Sequence, residues 1–234
     1  MPYRPIPNQP APQTTMPFAP QREFLIYLIT NGQTTPATTP ASNEFAAILK
    51  LVRSAVAAQI DIVQIREKKL NVSVLYELAR AASAITAGTE TKLLINDRAD
   101  VAASAGAAGV HLTASSLGAR VIREAFGSEF VIGVSTHSTA EAVAAQREGA
   151  DFAVFGPVFE TDSKKQYGPP LGLGRLTAVT TEVAPFPVLA LGGITPSLAA
   201  ACIDAGARGV AGISMFEDAD RLSETVSAIR SGSK

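Results

Sequence analysis

From Phe24 onward, short runs rich in β-branched residues alternate with Ala-rich segments whose apolar positions recur at i, i+3 and i+4. The runs are FLIYLIT (24–30), DIVQIRE (61–67), KLLIND (92–97), GVHLT (109–113), FVIGVST (130–136), FAVFGPVF (152–159), PVLALGG (187–193) and GVAGIS (209–214), eight in all. Segments of helical period include 44–59, 73–87, 139–148, 196–205 and 219–230. Apolar residues within each run are nearly continuous, so the strands are buried on both faces, which requires a parallel sheet covered by helices. Eight such units in about 210 residues predict a closed (β/α)8 barrel, the TIM barrel. The competing architecture is an open flavodoxin-like or Rossmann sheet, but no GxGxxG follows the first run.

Ahead of the first run the pattern stops. MPYRPIPNQPAPQTTMPFAP carries seven prolines in twenty residues, which removes the donors that a helix or ladder needs. Residues 1–22 are therefore expected to be a disordered Pro-rich tail, with docking to a Pro-recognising partner as the rarer alternative, and 23–234 to be the barrel. A chain of 234 residues that is 47% hydrophobic suits one such domain and leaves no room for a second. Twenty basic against twenty-one acidic residues give a net charge of −1, so no global field recruits nucleic acid or an anionic membrane. An anion site must then be local. The single cysteine, Cys202, excludes an internal disulfide framework and suits a reducing compartment. With no apolar run of membrane-spanning length and no signal-peptide pattern, a cytoplasmic location is expected.

In a barrel of this kind the chemistry gathers at the C-terminal strand ends and the loops that follow, so polar residues there carry the most information. The second run ends in Gln64-Ile65-Arg66-Glu67-Lys68, where strand alternation sends Gln64, Arg66 and Lys68 to one side, a set suited to a polyanion. The third ends in Asn96-Asp97-Arg98, whose carboxylate could hold Mg²⁺ or pair with Arg66. The only two histidines follow. His111 sits inside the apolar GVHL run and is read as a hydrogen-bonded packing residue. His137, in Ser135-Thr136-His137 just past a strand, is read as a proton carrier, with capping of the next helix as the alternative. After the sixth run, Thr161, Ser163 and Lys164 lie in a long polar loop suited to covering an anionic ligand, followed by a Gly/Pro-rich stretch to Gly174. The last two runs end in Gly192-Gly193 and Gly212-Ile213-Ser214, where backbone N–H groups can approach a phosphate.

Taken in order, QIREK, INDR, GVHL, IGVSTH, FGPVFETDSKK, LALGGITP and GVAGIS resemble the thiamine phosphate synthase and thiazole tautomerase family over essentially 24–230. The resemblance implies thiamine biosynthesis on a thiazole phosphate, in one of two branches. As a synthase, Gln64, Arg66 and Lys68 would hold the diphosphate of a pyrimidine substrate, with Asn96, Ser135 and Lys164 assisting and Asp97 as one Mg²⁺ ligand. The family's second carboxylate falls where this chain has Ser116, which weakens the metal position. As a tautomerase, the chain would aromatise a thiazole carboxylate phosphate without a cofactor, with His137 and Lys164 as the catalytic candidates. Ser116 and the VFETDSKK loop tilt the expectation towards tautomerase. Thr161, Ser163, Gly192, Gly193, Ile213 and Ser214 complete the expected binding set. A non-catalytic phosphate-binding regulator is the third reading, and a homodimer is compatible with all three.

Overall fold

The computed structural model describes residue 22, residues 24–161 and residues 169–232. Eight parallel strands close on themselves in chain order: β1 (Leu25–Ile29), β2 (Ile62–Ile65), β3 (Lys92–Asn96), β4 (Gly109–Leu112), β5 (Val131–Thr136), β6 (Phe152–Phe155), β7 (Val188–Leu191) and β8 (Gly209–Gly212). The helices that cover them are α1 (Asn43–Ala57), α2 (Val72–Thr86), α3 (Ala99–Ser104), α4 (Ala119–Phe126), α5 (Thr139–Arg147), α6 (Gly172–Val183), α7 (Ala199–Asp204) and α8 (Leu222–Ser231). The expected (β/α)8 barrel is what forms. The segment read as helical from Pro196 opens instead as a one-turn 3-10 piece, Pro196–Leu198, before α7. The Gly/Pro-rich stretch to Gly174 is also shorter than read, because α6 begins at Gly172. The expectation of a disordered tail at 1–22 falls almost wholly outside the described residues.

Each strand contributes alternate side chains to two layers. Ile26, Leu28, Val63, Ile65, Leu93, Ile95, Val110 and Ile132 pack outward against the helices. Leu25, Tyr27, Ile29, Ile62, Leu94, Val131, Phe152, Val154, Leu189 and Ala211 fill the barrel. Near-continuous apolar runs are the sequence image of these two layers. Gly133 shows how tightly the inner layer is filled: a Cβ there would come within 2.4 Å of Phe152 Cζ and 2.9 Å of His111 Nδ1. Among the described residues no helix is long and apolar enough to cross a membrane.

At the opposite, N-terminal end of the barrel two carboxylates, Asp61 half-buried and Asp151 buried, perform the same task four strands apart. Asp61, just before β2, accepts the Ile26 N–H at 2.8 Å, and Asp151, just before β6, accepts the Ile132 N–H at 2.6 Å. Burial pushes both carboxyl pKa values upward, against the pull of these N–H groups and of arginines. Asp151 is answered by Arg123 at 2.8 Å, which also holds the Gly149, Gly127, Ser128 and Phe130 carbonyls. Truncation at Asp151 leaves the buried Ile132 N–H without its partner and the Arg123 guanidinium without its counter-charge. Asp151→Ala is expected to cost about 3 kcal/mol, and urea denaturation that shows a loss below about 1 kcal/mol would refute this account.

Candidate active site at the strand ends

The inward positions of β1 to β5 become polar towards the C-terminal mouth. Tyr27 Oη donates to Gln64 Oε1 at 2.8 Å, and Gln64 Nε2 donates to Asn96 Oδ1 at 3.0 Å. The Tyr27 hydroxyl also meets His111 Nδ1 at 3.1 Å, while His111 Nε2 meets Ser135 Oγ at 2.9 Å. Five adjacent strands are thus joined by one chain of hydrogen bonds, set on the edge of Phe152. Gln64, Asn96 and His111 are buried, at 1%, 9% and 2% exposure. Burial, and then the charge of Arg66, pull the His111 pKa down to about 3, so this imidazole is neutral at physiological pH. The sequence reading of His111 as a hydrogen-bonded packing residue matches this environment. Tyr27 went unnoticed there, because within FLIYLIT it counts as one more apolar residue.

At the end of β2 the expected alternation of Gln64, Arg66 and Lys68 stops with the strand at Ile65. Arg66 is half-buried and Lys68 lies in an exposed turn. Glu67 is the residue that turns inward. Its carboxylate accepts from Thr30 Oγ1 at 2.6 Å, Thr34 Oγ1 at 2.7 Å, and the Gly32 and Thr34 N–H groups at 3.2 Å each. Four donors pin the loop after β1 against Arg66, whose own N–H reaches Thr30 Oγ1 at 2.9 Å. Glu67 was missed because a carboxylate between two cations reads as a solvated charge.

Asp97 follows β3 in the left-handed region, φ +60°, with its N–H on the His111 carbonyl. It is exposed and does not pair with Arg66, whereas Arg98 takes Asp100 at 2.6 Å. A cleft of about 440 Å³ separates Asp97 from Ser115 and Ser116, with Leu112, Ile122 and Phe126 among its walls. Ser116 Oγ accepts the Thr113 N–H at 2.7 Å, closing the turn after β4. Among the described residues no three His, Cys, Asp or Glu side chains cluster as a metal site.

Across the mouth, His137 Nδ1 is hydrogen-bonded to the Gly156 carbonyl. A carbonyl only accepts, so Nδ1 carries the proton and Nε2 is the basic atom of the neutral ring. The cap of α5 is Ser138, which accepts from the Glu141 N–H, while the Glu141 carboxylate takes the His137 N–H at 2.6 Å. The imidazole is therefore not the helix cap. Gly192 and Gly193 have φ values of +102° and +63°. A Cβ on Gly193 would lie 2.3 Å from the Glu160 carbonyl oxygen, so glycine is required there by the loop after β6, independently of any ligand. A bulky residue at Gly193 would disturb packing and binding together. Among the described residues the N–H groups of Gly193 and Ser214 have no hydrogen-bond partner, and the register Leu191↔Ala211 brings these two strand ends side by side. Ile213, just after β8, is half-buried against the inner core, and Thr161 is half-buried after β6. Ser163 and Lys164 lie outside the described residues.

A closed parallel barrel with amides, a guanidinium and a carboxylate at its C-terminal mouth defines the broad class: a TIM barrel with a polar site at the face where such barrels carry their chemistry. Within it, the chain belongs to the family described as "Thiamine monophosphate synthase", whose model matches residues 26–216. Among its relatives, the thiamine-phosphate synthase of Moorella thermoacetica is 41% identical over 166 residues, 71% of this chain and 79% of that protein. That of Methanoculleus marisnigri is 43% identical over 164 residues, 70% and 77% of the two chains. The solved thiamine phosphate pyrophosphorylase from Pyrococcus furiosus superposes with a TM-score of 0.74 at 27% identity, covering 90% of this chain and 96% of that one.

Proposed function

We propose that the chain is a thiamine-phosphate synthase, joining a pyrimidine methyl diphosphate to a thiazole phosphate with release of diphosphate. The observation that carries this reading is the linked pair Gln64–Asn96 at adjacent strand ends, with Arg66 beside it and Asp97 next in sequence to Asn96. The names of the relatives favour it over the tautomerase branch expected from sequence. In the reaction the C–O bond to diphosphate breaks and the thiazole nitrogen forms the new C–N bond. Arg66 and the Asn96 amide stabilise charge on the departing diphosphate. The free N–H groups of Gly193 and Ser214 hold the thiazole phosphate at the neighbouring strand ends.

Mg²⁺ is commonly held by one or two carboxylates and completed by water and substrate phosphates. The oxygens bordering the cleft fit that pattern, with Asp97 as the carboxylate and Ser115 and Ser116 supplying neutral hydroxyls. When bound, Mg²⁺ would neutralise charge on the leaving diphosphate. Asp100 also borders the cleft but is held by Arg98, so with Asp97 as the one carboxylate not paired to an arginine the metal requirement is expected to be loose. Ser116→Asp should lower the Mg²⁺ concentration for half-maximal synthesis by about tenfold or more, and its carboxylate can keep the Thr113 N–H bond. An unchanged Mg²⁺ titration would refute the placement of the metal.

A second reading, thiazole tautomerase, is favoured by one observation, the His137 imidazole whose Nδ1–H is anchored and whose Nε2 is left basic. One assay series separates the two. Synthesis from both substrates with Mg²⁺ that outpaces formation of the aromatic product from thiazole carboxylate phosphate alone is the expected result; the reverse order would replace synthase by tautomerase.

A further inference from the structure

The hydrogen-bond chain across β1 to β5 has a direction, and the direction follows from which atoms can donate. Gln64 Oε1 can only accept, so the single Tyr27 proton goes to it. The Tyr27 oxygen is then an acceptor towards His111, which puts the ring proton on Nδ1. His111 Nε2 carries the lone pair and takes the Ser135 hydroxyl proton. At the other end Gln64 Nε2 donates to Asn96 Oδ1, which turns the Asn96 oxygen to Gln64 and sets its NH₂ as the donor end of the chain. That NH₂ has no partner among the described residues.

We propose that Tyr27 is a positioning residue that fixes the polarity of this chain, so that Asn96 presents donors to an anionic group and Ser135 presents lone pairs to a donor group of the ligand. The two ends of the site are thereby made complementary to opposite parts of one substrate pair. Ser135 is then not an anion contact, since its proton is committed to His111. An amino or protonated ring nitrogen suits it instead. Tyr27 never reaches a ligand, being fully buried. Its ring is fixed by Phe152 in an edge-on contact, centroids 5.8 Å apart, so the hydroxyl has one place to be. The low pKa of His111 agrees with this arrangement, because a protonated ring would need to donate from Nε2 as well and would reverse the Ser135 bond.

The proposal rests on the synthase reading only in taking the anion to be a diphosphate; the polarity itself is open to measurement without any ligand. Long-range ¹H–¹⁵N correlation spectra report which ring nitrogen holds the proton, and with two histidines in the chain a His137→Gln variant assigns them. His111 is expected as the Nδ1–H tautomer in the unmodified protein, and as the Nε2–H tautomer in Tyr27→Phe. Binding of inorganic pyrophosphate, followed by calorimetry, is expected to weaken about tenfold in Tyr27→Phe, as for loss of one well-aimed hydrogen bond to a charged group. A His111 Nε2–H tautomer in the unmodified protein would overturn the proposal even if the variant fails to fold. So would a tautomer and a pyrophosphate affinity that Tyr27→Phe leaves unchanged. Absence of pyrophosphate binding with the Nδ1–H tautomer present would remove the synthase reading and leave the polarity standing.

Discussion

His137→Ala is expected to lower any tautomerisation of thiazole carboxylate phosphate by about 10² to 10⁴, the usual cost of removing a positioned acid–base group, while leaving Mg²⁺-dependent synthesis within a few fold. The reason is geometric. The Gly156 carbonyl takes the Nδ1 proton, so proton traffic is confined to Nε2. The fold has little stake in the ring, because Ser138 caps α5 and the Glu141 carboxylate binds the backbone N–H of residue 137, which alanine retains. His137→Asn can keep a donor towards Gly156 but cannot titrate, so it is expected to be as slow as alanine. Circular dichroism and thiazole phosphate affinity should be unchanged in both variants. Parallel loss of both activities with intact ligand binding would contradict the separation of roles, and full tautomerisation by the alanine variant would remove His137 from the chemistry.

The barrel was legible because its physics repeats: each of eight strands must be apolar on both faces, and each therefore prints a continuous apolar run. The helices printed less. α3, with six residues, is under two turns long, and α6 starts in a Gly/Pro-rich stretch that suggests a loop. Within the site, Gln64, Asn96 and Ser135 stood out as polar side chains at the ends of apolar runs. Their union did not, since it depends on Tyr27, whose phenol reaches across to both Gln64 and His111. No spacing along the chain encodes that meeting. Strand alternation was also carried past Ile65, where the strand ends, as far as Lys68 in an exposed turn, and it overlooked Glu67. The branch of the family was the least legible feature, because it turns on Ser116 and on a loop that holds Ser163 and Lys164, and local pattern says nothing of how those residues meet a ligand.

Arg66→Ala is expected to reduce kcat/KM for the diphosphate substrate by about 10² to 10³, the scale for removing one preorganised donor from developing charge. Arg66→Lys should recover only part of this, since an ammonium cannot reproduce the planar fork that grips two phosphate oxygens. The backbone here does not depend on the side chain: the residue 66 N–H keeps Thr30 Oγ1, and Glu67 keeps the loop after β1. The same substitution has a second, independent readout. Arg66 is the lesser of the two causes that hold the His111 pKa near 3, burial being the larger. In the unfolded chain a histidine titrates near pH ~6.5. Between those values the unfolded state binds one proton more than the folded state, so stability falls by about 1.4 kcal/mol for each unit of decreasing pH. Without Arg66 the folded pKa rises and the window narrows from its acid side. Arg66→Ala should therefore lose less stability than the unmodified protein between about pH 5 and pH 3, although it has lost most of its activity. Urea midpoints measured across that range decide the matter: identical acid slopes would show that the guanidinium does not face His111, and an unchanged kcat/KM would show that it does not face the diphosphate.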